Sequence, residues 1–116
     1  MILTFENFEY NDDIDDYMYK WYKHTVSILT KILGEPYVGR NADWGAMEMW
    51  KLQRDDFEGY FVVIDDEESF IFLKRTFNTK DESNDDEEID YLLAGENITD
   101  FVEKVTKVKN RLKFNL

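Results

Sequence analysis

Three segments of strand-like composition lie close together between residues 47 and 77, and they constrain the fold more than any other feature. They are MEMWKLQR (47–54), YFVVID (60–65) and SFIFLKRTF (69–77). β-Branched and aromatic side chains are frequent in them, which is typical of strands. The connections between the segments are short and polar, and such connections join antiparallel neighbours because parallel strands need a long crossover. The sequence therefore predicts an antiparallel meander.

Two helical patterns flank this meander. In residues 12–33, apolar side chains recur at steps of three and four residues, and Gly34 marks the end of the pattern. A second stripe of the same spacing begins near Asn97 or Thr99. The middle strand is apolar on both faces, so we expect another layer to cover the sheet. Residues 1–116 therefore predict one α+β domain: an antiparallel β-meander of three to five strands with an N-terminal and a C-terminal amphipathic helix packed on the sheet.

Three further segments have weaker patterns. Residues 2–10 mix apolar and polar side chains without a clear period, and they predict a short strand before the first helix. Residues 37–46 contain two glycines and indicate a loop. Residues 78–88 are too polar to pack against a core, so we expect an acidic loop there, followed by a short edge strand or a turn at residues 89–93.

The charge of the chain is large and unevenly distributed. There are 26 acidic and 14 basic side chains, which gives a net charge of −12. Residues 12–16, 65–68 and 81–90 hold four, four and seven of the acids, whereas residues 104–113 hold five bases and no acid. A body of this charge repels nucleic acid and attracts a basic protein. The basic end of the last helix either neutralises the acidic body, within the molecule or across a dimer, or contacts a second partner.

The sequence lacks the residues that several kinds of catalytic and metal-binding site require. The chain has no cysteine, which excludes disulfides, thiolate metal sites and cysteine nucleophiles. The five glycines do not form a phosphate-binding loop. His24 and Ser27 share a helix but lack an orienting acid and oxyanion donors, so His24 is expected to be a half-exposed histidine. A calcium loop starting at Asp81 fails at its glycine and glutamate positions. We therefore expect no enzyme activity, no cofactor and no metal site, with a carboxylate-based enzyme kept as a third hypothesis.

The expected cellular location is inferred from the absence of signal-peptide features and of a membrane-length apolar run. The first ten residues have neither the basic region nor the long apolar run of a signal peptide. No stretch approaches the roughly 20 apolar residues of a membrane span. Together with the absence of cysteine, this favours a cytoplasmic protein that contacts neither membrane nor nucleic acid.

The grouped acids have two interpretations. They keep the chain soluble and blunt the edges of the sheet, or they form a surface that meets a basic partner, such as a nuclease or another nucleic-acid enzyme, with carboxylates placed where phosphates would lie. Charge alone discriminates poorly, so the second interpretation needs aromatic anchors, which otherwise cap the core. The candidate partner-binding residues are Asp65, Asp66, Glu67, Glu68, Asp81, Glu82, Asp85, Asp86, Glu87, Glu88 and Asp90, with Tyr37 and Trp44 as anchors.

The leading functional hypothesis rests on these acids and on the missing catalytic residues. In size, acidity and lack of cysteine, the chain is similar to immunity proteins that neutralise nuclease toxins and to phage inhibitors of host defence. We therefore expect a protein that inhibits or masks a basic partner, by mimicry of nucleic acid. The segment ILGEPY (32–37) resembles the helix-to-meander junction of acidic chaperones of secreted effectors, although such chaperones continue with a second pair of strands. The alternative is a homodimeric chaperone or scaffold that binds through apolar sheet or helix surface.

Overall fold

The computed structural model describes residues 14–41, 45–54, 58–65 and 69–114. In this part of the chain, five strands form one sheet in the order β1-β2-β3-β4-β5, with every neighbouring pair antiparallel. An α+β fold with a five-stranded antiparallel meander and two helices is therefore confirmed. The elements are α1 (Ile14–Leu33), β1 (Tyr37–Asn41), β2 (Gly45–Lys51), β3 (Gly59–Ile64), β4 (Phe70–Asn78), β5 (Ser83–Leu92) and α2 (Thr99–Phe114).

The prediction of a loop over residues 37–46 is wrong, because β1 and the start of β2 occupy this segment. Tyr37 lies opposite Met49, and the pairing continues to Asn41 opposite Gly45. Gly39 does not serve as a turn residue here. A Cβ atom at this position would collide with the Met49 side chain, which occupies the space that the glycine leaves free. The strand predicted within residues 2–10 lies outside the described residues.

The acidic loop predicted over residues 78–88 is also wrong. Only residues 79–82 form the turn, and β5 starts directly after it with Ser83 opposite Asn78. The acidic strand pairs with a basic stretch of β4, where Lys74 and Arg75 lie opposite Glu87 and Asp86. Because opposite charges across a strand pair are favourable, these neighbours make a strand of a segment that has poor intrinsic strand propensity.

Each face of the sheet carries its own apolar cluster, since successive side chains of a strand point to opposite sides. On the first face, the Trp21 ring of α1 lies 5.7 Å from Phe70, and the Phe101 ring of α2 lies 6.4 Å from Phe72. This cluster also contains Trp50, Val62, Ile64, Leu92 and Val105. The second face carries a smaller cluster made of Met49, Phe61, Val63 and Leu73.

The connection between β5 and α2 is tied to α1 by hydrogen bonds. Trp21 Nε1 donates to the Glu96 carbonyl oxygen at 2.7 Å, and Glu96 Oε1 accepts from the Leu93 backbone N–H at 2.8 Å. Asn97 Oδ1 accepts from the Thr99 N–H at 2.9 Å, where α2 begins. These bonds fix the point at which the chain leaves the acidic strand.

Candidate functional site

The candidate site is the acidic edge, defined as residues 83–90 of β5. β5 is the last strand in the sheet order, so no strand in the described part of the chain pairs with its outer side. Every side chain from Ser83 to Ile89 is exposed. The sheet therefore ends in a row of acidic side chains and an outward-facing backbone.

The acids of this edge lie on both sides of the sheet. Glu87 is opposite Lys74, whose Nζ lies 5.7 Å from the Tyr60 ring on the first face. Asp85 is two residues away and shares this side. Asp86 and Glu88 alternate with them and lie on the second face. A partner running along this edge would therefore meet carboxylates above and below the sheet.

A bulge divides the strand at Ile89. Phe72 is opposite Asp90 and Leu73 is opposite Glu88, so Ile89 has no residue across from it. The extra residue shifts the alternation, and Asp90 returns to the first face beside Phe72.

One of the acids is neutralised by β4. Arg75 Nε donates to Asp86 Oδ1 at 2.7 Å, and Arg75 Nη2 donates to Asp86 Oδ2 at 3.0 Å. The Arg75 side chain is only 4% exposed, and its guanidinium carbon lies 5.3 Å from the centre of the Phe61 ring. This bidentate geometry is the strongest form of such a pair. Asp86 therefore holds the β4–β5 hairpin in register more than it offers charge to a partner.

A second acid is paired with α2. Lys104 Nζ lies 3.3 Å from Asp90 Oδ2, while Asp90 Oδ1 accepts from the Tyr91 backbone N–H at 2.9 Å. The contact at Lys104 agrees with the intramolecular interpretation of the basic C-terminal helix. Further along α2, Lys109 Nζ lies 3.4 Å from the Leu52 carbonyl oxygen.

Four acids near the turn of the β4–β5 hairpin are exposed and have no ion pair. Within the described ranges, no basic nitrogen lies within 4.0 Å of the carboxylates of Glu82, Asp85, Glu87 and Glu88. Asp81 contacts the turn instead, since its Oδ2 accepts from Asn78 Nδ2 at 3.3 Å. The charge offered to a partner therefore comes from the turn and from the strand distal to the bulge.

The second predicted acidic group lies apart from this edge. Asp65 follows β3, where its Oδ1 accepts from the Ser69 N–H at 3.0 Å and its Oδ2 accepts from the Tyr91 hydroxyl at 2.6 Å. Ser69 pairs with Asp65 at the start of β4, about 14 Å along the strand from the level of Glu88. Asp65 thus supports the β3–β4 turn, and residues 66–68 lie outside the described residues.

Of the two predicted aromatic anchors, Tyr37 is in the described part of the chain, and it does not lie beside the acidic edge. Tyr37 lies in β1 at the opposite edge of the sheet, about 19 Å away across four strand spacings. Its ring packs on the second-face cluster and lies 5.6 Å from Lys51 Nζ. Trp44 lies outside the described residues.

Two exposed apolar residues at the acidic edge were not among the site residues predicted from the sequence. Phe77 and Ile89 are 37% and 40% exposed, and Phe77 lies opposite Asn84 on the hairpin. The available signal was Phe77 itself, which ends the apolar alternation of SFIFLKRTF just after the two basic residues. Aromatic side chains such as Phe77 are enriched at protein interfaces relative to the rest of the surface.

The remaining features of the described residues concern metal-binding clusters, membrane-spanning helices and the single histidine. In residues 14–41, 45–54, 58–65 and 69–114, no three His, Asp or Glu side chains are placed to hold a metal ion, and no helix has the length and apolarity to cross a membrane. His24 is half-buried on α1. Burial lowers the pKa of its imidazole below the ordinary value of 6.5, and the Lys31 ammonium lowers it further.

Comparison with known proteins gives no relative from which a function could be inferred. No family model matches the sequence, and searches against curated proteins and against solved structures found no match.

Proposed function

We propose that this protein binds a basic protein and inhibits or masks it, without catalysing a reaction. One observation carries the proposal: four exposed carboxylates, Glu82 in the turn and Asp85, Glu87 and Glu88 on the sheet edge beside it, have no ion pair in the described structure. Spaced carboxylates of this kind attract the lysine and arginine side chains that a nucleic-acid enzyme uses to hold phosphates.

Electrostatics alone supplies rate and selectivity more than affinity. An exposed ion pair contributes only about 0.2–1 kcal/mol, so four of them leave most of the binding free energy to other contacts. Phe77 and Ile89 supply exposed apolar area at the two ends of this acidic stretch. In this proposal the carboxylates steer the partner, and the two apolar side chains hold it.

Edge protection by itself explains the acids less well. A charged edge strand prevents pairing between sheets, and both edges of an open sheet need such protection. In the described part of the chain the opposite edge is β1, which has no acidic residue between Tyr37 and Asn41, and its Val38 is 70% exposed. The acids are therefore concentrated on one edge, as a binding surface would require.

The two helices have a supporting role in this proposal. α1 and α2 contribute Trp21 and Phe101 to the first-face cluster. We propose that both amphipathic helices cover this face, so that the edges of the sheet remain as the surfaces for recognition. The alternative function, a homodimeric scaffold, would use the β1 edge, because exposed Val38 and the lack of acids permit close approach of a second copy.

The test compares two variants of equal charge. The edge variant combines Asp85→Asn, Glu87→Gln and Glu88→Gln. The control combines Glu35→Gln, Glu48→Gln and Glu103→Gln, which are exposed acids away from the acidic edge. Both variants carry three fewer negative charges than the wild type.

Each protein is used to capture partners from a lysate of the source cells at about 0.1 M and about 0.5 M salt, a range over which the screening length falls from about 10 Å to a few ångströms. We expect the wild type and the control to capture, at low salt only, a basic protein whose activity they inhibit. The edge variant should lose it. Retention of this partner by the edge variant, or a salt-resistant dimer alone, would refute the proposal.

A further inference from the structure

We propose that the partner binds by adding an extended basic segment as a sixth strand along the outer side of β5. This inference rests on the proposed function and names its binding mode. Strand addition draws affinity from backbone hydrogen bonds and selectivity from side chains at alternate positions. Among the described residues no strand pairs with the outer backbone groups of β5, and these groups and the charges beside them both point to this binding mode.

The hydrogen bonds of β4 identify which groups of β5 are open. The Phe77 N–H donates to Glu58 Oε1 at 3.0 Å, so it points away from β5. Pairs of an antiparallel ladder alternate between bonded and non-bonded, and Phe77 with Asn84 is thus a non-bonded pair. Backbone orientation repeats every second residue of a strand, so the backbone groups of Asp86 and Glu88 point the same way as those of Asn84. The N–H and C=O groups of Asn84, Asp86 and Glu88 therefore face the outer side.

A second hydrogen bond gives the same alternation independently. The Leu52 N–H donates to the Tyr60 carbonyl oxygen at 3.0 Å, so the backbone of Tyr60 faces β2 rather than β4. Lys74, which lies opposite Tyr60, consequently directs its own groups to Glu87 of β5. Glu87 is then a bonded position, and its neighbours Asp86 and Glu88 face outward.

The proximal end of this edge is closed. Ile71 is on the same parity of β4 as Phe77, so Tyr91, opposite Ile71, also turns its N–H outward. The Asp90 carboxylate accepts this N–H at 2.9 Å. Strand addition is therefore confined to residues 83–88, about 20 Å of chain.

Charge selects the occupant. β4 already places Lys74 opposite Glu87 and Arg75 opposite Asp86, so a basic strand is the neighbour that this sequence accepts on its inner side. On the outer side, Asp85 and Glu87 share one face of the sheet, so the added strand should carry basic side chains two residues apart on that face. Glu88 favours a further basic side chain on the other face. A second copy of β5 would oppose like charges, which is unfavourable. The occupant is a basic protein segment of about six residues.

The test uses a synthetic nonapeptide in which lysine alternates with threonine, blocked at both ends, at about 0.1 M salt. Asn84→Pro removes one outward N–H without altering charge or the bonds to β4, because proline is tolerated where the N–H of an edge strand faces outward. Asn84→Ala is the matched variant that keeps the N–H. Fluorescence anisotropy gives the peptide affinity, and circular dichroism verifies that both variants are folded.

We expect Asn84→Pro to bind the peptide at least tenfold more weakly than Asn84→Ala. In the wild type, the peptide should slow amide exchange at Asn84, Asp86 and Glu88. A peptide N-methylated at the residues that face β5 should bind at least tenfold more weakly than its parent, a measurement that needs no variant.

The outcomes separate the binding mode from the function. Equal binding to both Asn84 variants, with loss only in the edge variant of three neutralised acids, overturns strand addition and leaves the proposed function standing. Absence of binding in the wild type, together with partner capture that ignores the acidic edge, overturns both.

Discussion

Arg75 and Asp86 face each other across β4 and β5 and form a bidentate ion pair, with nitrogen–oxygen distances of 2.7 and 3.0 Å. The pair lies in the distal part of the hairpin, where most neighbouring side chains are exposed, yet its arginine is almost fully buried against Phe61. A hairpin rich in like charges is thus held in register by one shielded contact. Its loss should matter far more than the loss of any neighbouring carboxylate.

Asp86→Ala should lower the free energy of unfolding by about 3 kcal/mol, because it leaves a buried guanidinium without its counter-charge. Asp85→Ala, at the adjacent and unpaired position, is the matched control and should leave the unfolding free energy nearly unchanged. Urea denaturation of both variants measures the difference. Equal destabilisation by the two substitutions would show that the ion pair has no special weight.

Glu82→Gly should raise the free energy of unfolding by about 1 kcal/mol. Glu82 has a φ of 52°, in the left-handed region that is costly for a residue with a Cβ atom and free of this cost for glycine. Glu82→Ala keeps the Cβ and removes the same charge, so it should not reproduce the gain. Thermal unfolding of the two variants decides the matter, and an equal gain from alanine would assign the effect to charge instead.

Gly39→Ala should destabilise the fold by about 1–3 kcal/mol, because its new methyl group would meet the Met49 side chain where β1 crosses close to β2. Met49→Ala opens a space at the same point. The double variant should therefore lose less than the two single variants together, as contacting residues are not additive. Strict additivity in a denaturation series would contradict this close approach.

His24 should make stability depend on pH. Burial, and then Lys31, lowers its folded-state pKa below the ordinary 6.5. The unfolded chain therefore binds the proton first as pH falls, so the stability contribution is fully present above pH 6.5 and is lost as pH falls from there through the folded pKa. The unfolding free energy of the wild type minus that of His24→Gln should decrease between pH 7.5 and 5.5. A difference that stays constant or grows would contradict this assignment.

The parts of the fold that periodicity encodes could be predicted from the sequence. The stripe in α1 and the aromatic runs of β3 and β4 are strong because each buries its apolar residues on the core. The end of β5 was predicted, as a short edge strand or a turn at residues 89–93. Its acidic part was missed, since its composition is that of a solvated loop and its pairing depends on Lys74 and Arg75, whose register the chain fixes only on folding. β1 was missed because Gly39 resembles a turn residue in the sequence, whereas in the fold it pairs with Met47 and lies against the Met49 side chain.

The candidate site was predicted in part. The acidic residues 81–90 were identified from composition, but their division into paired and unpaired groups depends on contacts with Arg75 and Lys104 that are distant in sequence. Tyr37 was expected beside them, and strand order places it at the other edge. Aromatic content alone carries no information about which edge a ring will occupy.

The bulge at Ile89 gives the two halves of β5 different freedom to change. Leu92 is buried in the first-face cluster and Asp90 is tied to Lys104, so the proximal half is constrained by the core. Beyond the bulge, the exposed side chains are constrained only by their contacts with β4 and by whatever binds the edge. Apart from Asp86, which pairs with buried Arg75, substitutions there can accumulate with little loss of stability, and a protein built in this way can follow a target whose own surface keeps changing.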